Sequence, residues 1–87
     1  MREVSSKDER ALKKAREAEE RRKLREIRDI EENIEKSEER LREIEEEMQL
    51  PENLSDFGKL AELSKEMDSL KAEIADLYDK WECLELC

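Results

Sequence analysis

Between Leu60 and Leu84 the apolar residues Leu60, Leu63, Met67, Leu70, Ile74, Leu77, Trp81 and Leu84 recur at alternating spacings of three and four. That alternation draws one narrow stripe along a helix, with both core positions of four successive heptads filled. Only another helix covers a stripe of this width, so the rest of the chain is read first for what can lie against it.

The cover is found upstream. Ile27, Ile34, Leu41 and Met48 share one heptad position, and Ile30, Ser37 and Ile44 share the other. Ser37 is the one polar interruption; its small hydroxyl is either tolerated by bonding back to a backbone carbonyl or helps to fix register. Pro51 has no amide hydrogen and disfavours an α conformation at Leu50, so the first helix is expected to stop there. The connection from Leu50 to Ser55 is short and forces an antiparallel partner. Asn53, Ser55 and Asp56 are alternative N-caps for the second helix. The predicted class is all-α, a two-helix antiparallel coiled-coil hairpin with an N-terminal basic helical overhang. Helix 1 is expected over about residues 7–50, the turn over 51–55 and helix 2 over about 56–86; residues 24–86 form the hairpin and 1–23 its basic lead or linker.

One register pairs Met48 with Leu63, Ile44 with Met67, Leu41 with Leu70, Ile34 with Leu77, Ile30 with Trp81 and Ile27 with Leu84, leaving Ser37 against Ile74 as the only layer that is not wholly apolar. A slip of one heptad sets Lys23 against Trp81 and Glu20 against Leu84, so the first register is preferred. Leu50, Leu54, Phe57 and Leu60 are expected to close the tip. Gly58, in the first turn of helix 2, weakens that turn by about 1 kcal/mol relative to Ala.

Composition limits what else the chain can be. With 52% of its 87 residues charged and 36% hydrophobic, it can bury one seam and no thicker core. Such a hairpin sits near the limit of independent stability, because ordering costs roughly 1.5 kcal/mol per residue. Met1 followed by an uncored helix suggests a fragment from the end of a longer protein. One Gly, one Pro and three aromatic residues argue against sheets and glycine-rich phosphate loops. There is no histidine, and carboxylates on a solvated helix face lack the desolvation that would separate their pKa values, so no enzyme activity and no catalytic residue are expected of this chain. Cys83 and Cys87 cannot complete a tetrahedral metal site, and a disulfide within one helical turn fits poorly, so free thiols are expected. No apolar run approaches the ~20 residues needed to cross a bilayer, and no signal-peptide core follows Met1. A cytoplasmic protein with no membrane partner and no small-molecule ligand is expected.

The net charge of −9 is unevenly distributed. Residues 1–28 hold 11 Lys or Arg against 7 Asp or Glu, whereas residues 29–87 hold 7 against 20. Ser5 or Ser6 can cap a helix that begins in the basic part, with Glu9 completing a capping box after Ser6. Carrying the heptad backwards puts Lys7, Lys14, Arg21 and Arg28 at one position, with Arg10 and Arg25 beside them. These six are the candidate nucleic-acid-binding residues. The competing reading is a solvated face whose Glu and Arg neighbours merely support the helix.

The end of the second helix carries Leu70, Ile74, Leu77, Tyr78, Trp81, Glu82 and Leu84 as L-x-x-x-I-x-x-L-Y-x-x-W-E-x-L. Upstream stand a basic lead (Lys13, Lys14, Arg16, Arg21, Arg22), an acidic first helix, and Pro51-Glu52 with Asp56 at the turn. This pattern resembles the C-terminal coiled-coil domain of ABC-F proteins, which carry paired ATP-binding cassettes and no membrane domain. The resemblance implies the tail of a cytosolic ATPase that acts on ribosomes, in a translation-factor or antibiotic-resistance context. It also implies ribosomal RNA or DNA as partner. ATP and Mg2+ would belong to cassettes outside this chain, which itself has no cofactor. The acidic balance after residue 28 departs from family patterns that carry basic residues along the hairpin. The alternative is a structural coiled coil for protein interaction or weak self-association; a coiled-coil arm of a tRNA synthetase lacks the Tyr-x-x-Trp-Glu ending. Within the seam Trp81 is expected to be core, facing Ile30, and Tyr78 to flank it.

Overall fold

The computed structural model describes residues 6–86, with side chains from Lys7 onward. Helix α1 runs Ser6–Gln49 and helix α2 runs Phe57–Leu86, packed antiparallel into a rod of 81 × 15 × 15 Å. This is the all-α hairpin that the heptads predict. Of the two N-terminal capping candidates, Ser5 lies outside the described residues and Ser6 is already the first residue of α1.

The seam closes along its predicted residues. Ile27, Ile34, Ile44 and Leu63 are buried, with Ile44 fully so, and every other seam residue of both helices is half-buried. The large number of half-buried positions follows from having only two helices, since each layer keeps one edge open to water. Trp81 is among them rather than sealed in a core; its indole nitrogen is buried without a hydrogen-bond partner among the described residues, while one face lines a groove with Ile34.

Two interhelical contacts beside the seam report its register. The Arg40 guanidinium donates to both Glu66 carboxylate oxygens, Nε to Oε1 at 2.9 Å and Nη2 to Oε2 at 3.0 Å. Arg40 adjoins Leu41 and Glu66 adjoins Met67, so the pair flanks the layers expected there. Glu43 and Glu47 approach the same guanidinium at 3.3 and 3.8 Å. The hydrogen bond from Arg40 holds the Glu66 carboxyl below the usual carboxylate range, against a smaller opposing desolvation. Further along, the Tyr78 hydroxyl donates to Glu38 Oε1 at 2.7 Å. Near the open end, Glu85 shares a groove with Glu20, Lys23, Leu24 and Ile27.

At the turn the structure selects one of the three alternative caps and corrects the expected tip. Asp56 alone is the N-cap of α2: its Oδ1 accepts from the Lys59 amide at 3.1 Å, and its carbonyl accepts the first intrahelical bond, from Leu60, at 3.0 Å. Asn53 does the opposite task. It is the one buried polar residue among those described, 3% exposed, and its Nδ2 donates at 2.7 Å to the Glu47 carbonyl, which also accepts the Leu50 amide at 3.2 Å where α1 ends. The correction concerns the tip, which Leu50, Leu54, Phe57 and Leu60 are expected from the sequence to close. Leu50, Leu54 and Phe57 are 41%, 59% and 79% exposed, and only Leu60 is half-buried. Successive backbone bonds, Asn53 to the Leu50 carbonyl and Asp56 to the Asn53 carbonyl, tighten the connection until Asn53 fills the space between the helix ends. The apolar side chains are thereby turned outward. Gly58 needs no special conformation, since an added Cβ would meet only Asp56 Oδ1 at 3.7 Å.

Replacing Asn53 with Ala removes its side-chain bond to the Glu47 carbonyl, which keeps the Leu50 amide; a loss of about 1 kcal/mol is expected, read by urea or thermal unfolding. The Tyr78 contact gives a pH signature. Its hydrogen bond to Glu38, aided by desolvation and the nearby carboxylate charge, raises the phenol above its ordinary value of 10.0. The unfolded chain therefore releases this proton first, and the stability present below pH 10 is lost as the pH rises through the folded value. A melting temperature followed above pH 10 should fall more steeply for the native chain than for Tyr78→Phe, which lacks the ionisable hydroxyl.

Candidate nucleic-acid interface

The basic residues depend on α1 for their placement. Ala, Glu, Lys and Arg dominate residues 7–23 and favour a helix by propensity alone, and the seam from Ile27 onward anchors that helix to α2. Helix α2 ends at Leu86, beside Lys23 and Leu24, so the first turns of α1 project past it. Every described residue from Lys7 to Glu17 is exposed.

Along α1 Lys7, Lys14, Arg21 and Arg28 stand in line, one heptad or ~10.5 Å apart, over ~32 Å, the first three on the projecting turns and Arg28 where the helices are already paired. Arg10 and Arg25 lie beside the line. All six are exposed. Arg21, Arg25 and Arg28 surround Leu24, which is 61% exposed, and together they line a shallow groove of about 330 Å³. A second surface groove nearer the N-terminus is formed by Glu9, Leu12, Lys13 and Arg16. Asp8, Glu9, Glu17, Glu19 and Glu20 are interleaved, so the cations form a stripe rather than a uniformly basic cylinder.

The signature residues occupy another part of the molecule. Leu70, Ile74, Leu77, Trp81 and Leu84 face the seam, half-buried, whereas Tyr78 and Glu82 are exposed beside it. They hold the hairpin together at the end nearest the stripe, and none of them is next to the stripe's outer cations. Sequence reasoning did not single out a groove of about 300 Å³ between the helices, where Glu31, Glu35, Glu38 and Arg42 of α1 meet Tyr78 and Trp81 of α2. The available signal was the run of glutamates one turn apart, Glu31, Glu35 and Glu38, opposite the only aromatic pair on α2's second half.

Chemically, the stripe presents permanent positive charge on a rigid support and can engage a polyanion; delocalised guanidiniums suit phosphate oxygens by paired hydrogen bonds. Cys83 is exposed and free. Among the described residues no helix is long and apolar enough to cross a membrane, and no group of His, Cys, Asp or Glu is arranged to hold a metal ion.

No curated protein and no solved structure matches the chain. A family model does: residues 3–86 match the ABC transporter C-terminal domain, and the chain accordingly belongs to that family as a C-terminal domain of an ABC protein.

Proposed function

We propose that this domain is the C-terminal coiled-coil module of an ABC-F ATPase and that its projecting basic helix touches ribosomal RNA or DNA, in a cytoplasmic translation-factor or antibiotic-resistance context. The observation that carries the reading is the exposed line of Lys7, Lys14, Arg21 and Arg28, with Arg10 and Arg25, which runs from the turns of α1 that project past α2 onto the start of the paired region. Membership in the ABC C-terminal domain family supports the parent, and the Leu77-Tyr78-x-x-Trp81-Glu82 ending supports the ABC-F branch.

The hairpin's task in this reading is to hold the stripe away from its own acidic surface. Backbone phosphates, rather than base edges, are the expected contacts, because a stripe of Lys and Arg along one helix carries no pattern of base-reading side chains. ATP and Mg2+ chemistry would lie in the parent's cassettes. The residues of this chain do not fit a triphosphate: its single glycine, Gly58, lies in the first turn of α2 beside the Asp56 carboxylate, with no basic loop around it.

The competing reading, a structural module without nucleic-acid affinity, draws on the acidic outer surface after residue 28. The two part in one experiment. Binding to ribosomal RNA and to duplex DNA is measured at two salt concentrations for the native chain and for a variant with Lys7, Arg10, Lys14, Arg21, Arg25 and Arg28 reversed to Glu. The native chain should bind weakly and lose affinity with salt, with a log–log slope of about −0.9 per phosphate neutralised on duplex DNA. The reversed chain should not bind. Equal binding by both removes the stripe from the function.

A further inference from the structure

We propose that α1 is self-complementary along one face and that a second copy of this chain docks there antiparallel, its basic half on the first copy's acidic half. The face is defined by two heptad positions that both lie on the side of α1 bordering Tyr78 and Trp81. One position is occupied in turn by Lys14, Arg21, Arg28, Glu35 and Arg42, and the other by Glu17, Leu24, Glu31, Glu38 and Glu45. All lie within the single unbroken helix Ser6–Gln49, so the face is continuous.

Two surface grooves lie along that face with opposite charge. The one around Leu24 is lined by Arg21, Arg25 and Arg28. The other, toward the turn, has Glu31, Glu35 and Glu38 against Arg42, Tyr78 and Trp81. Glu31 and Glu35 are four residues apart, a like-charge spacing that disfavours the helix unless a cation is supplied. Leu24, 61% exposed, is an apolar side chain with no cover, and the second groove offers two aromatic rings.

Placing two α1 helices antiparallel, with the two-fold axis between Arg28 and Glu31, brings the basic half of each onto the acidic half of the other. Lys14 meets Glu45 of the second copy, Glu17 meets its Arg42, Arg21 meets its Glu38, and Arg28 meets its Glu31. Leu24 arrives at Glu35 of the second copy, at the rim of its Tyr78 and Trp81 groove. The axis repeats each pairing in the other direction, as an isologous interface requires. Exposed ion pairs are individually weak and salt-sensitive, so a reversible dimer favoured at low salt is the expected form. It would occupy Lys14, Arg21 and Arg28, and therefore competes with a polyanion for the stripe.

Sedimentation velocity over a concentration series, with a thiol reductant present, tests this on the full chain. The native chain should show concentration-dependent dimerisation that is lost at about 1 M salt, where the screening length falls to about 3 Å. Glu31→Lys/Glu45→Lys sets cations opposite Arg28 and Lys14, and Lys14→Glu/Arg28→Glu sets carboxylates opposite Glu45 and Glu31. Each variant alone should dimerise at least about tenfold more weakly, with helicity unchanged by circular dichroism, while an equimolar mixture of the two should recover dimers. A native chain that stays monomeric at low salt, or variants that dimerise as the native chain does, would overturn the proposal. Because Glu31→Lys/Glu45→Lys leaves every stripe cation in place, its loss of dimer cannot be confused with a failure of nucleic-acid binding.

Discussion

The seam between Ile27 and Met48 of α1 and Leu60 and Leu84 of α2 is the contact on which everything else rests. It is a thin one. Four side chains are buried outright and the others keep an open edge, so no second layer exists to compensate for a misplaced helix. Register therefore carries unusual weight: it decides that Trp81 lies in the Ile30 and Ile34 region rather than against Lys23, and it ends α2 beside Lys23 and Leu24. The length of the projecting helix, and hence the exposure of Lys7 through Arg21, is a by-product of that stagger.

Residues beside the seam reinforce the same stagger with polar contacts. Arg40 grips Glu66 with two parallel bonds, and Glu38 receives the Tyr78 hydroxyl. Such exposed bonds add little to stability in water, but they require one axial alignment, and a slip of a heptad would break both. The turn adds a third constraint. Asn53 caps the end of α1 while Asp56 caps the start of α2, so the two helix ends are fixed within a few residues of each other.

The heptads made the helices, the antiparallel pairing and its register legible, because one apolar stripe has few ways to be covered and the charged neighbours exclude the nearest alternative. The turn was less legible. Asn53, Ser55 and Asp56 are all good capping residues, and local chemistry does not say which end of which helix each will serve; the buried position of Asn53 follows from how the two helix ends meet. Leu50, Leu54 and Phe57 suggested a closed tip from hydrophobicity alone, but the bonds within the turn point them to solvent. As for the candidate site, the line of cations was readable from sevenfold spacing, whereas the groove joining Glu31, Glu35 and Glu38 to Tyr78 and Trp81 exists only once the helices are paired. Its aromatic members double as part of the family's signature.

The most direct test of the register is a double-mutant cycle on the Arg40–Glu66 contact. These residues are 26 apart in sequence and meet only if Leu41 faces Leu70 and Ile44 faces Met67. Unfolding free energies of the native chain, Arg40→Ala, Glu66→Ala and the double variant, taken near neutral pH and again in acid, give the coupling between them. A stabilising coupling that fades as the pH falls through the depressed Glu66 value is the predicted result. Strict additivity at both pH values would contradict the register, and with it the placement of the basic helix beyond the end of α2.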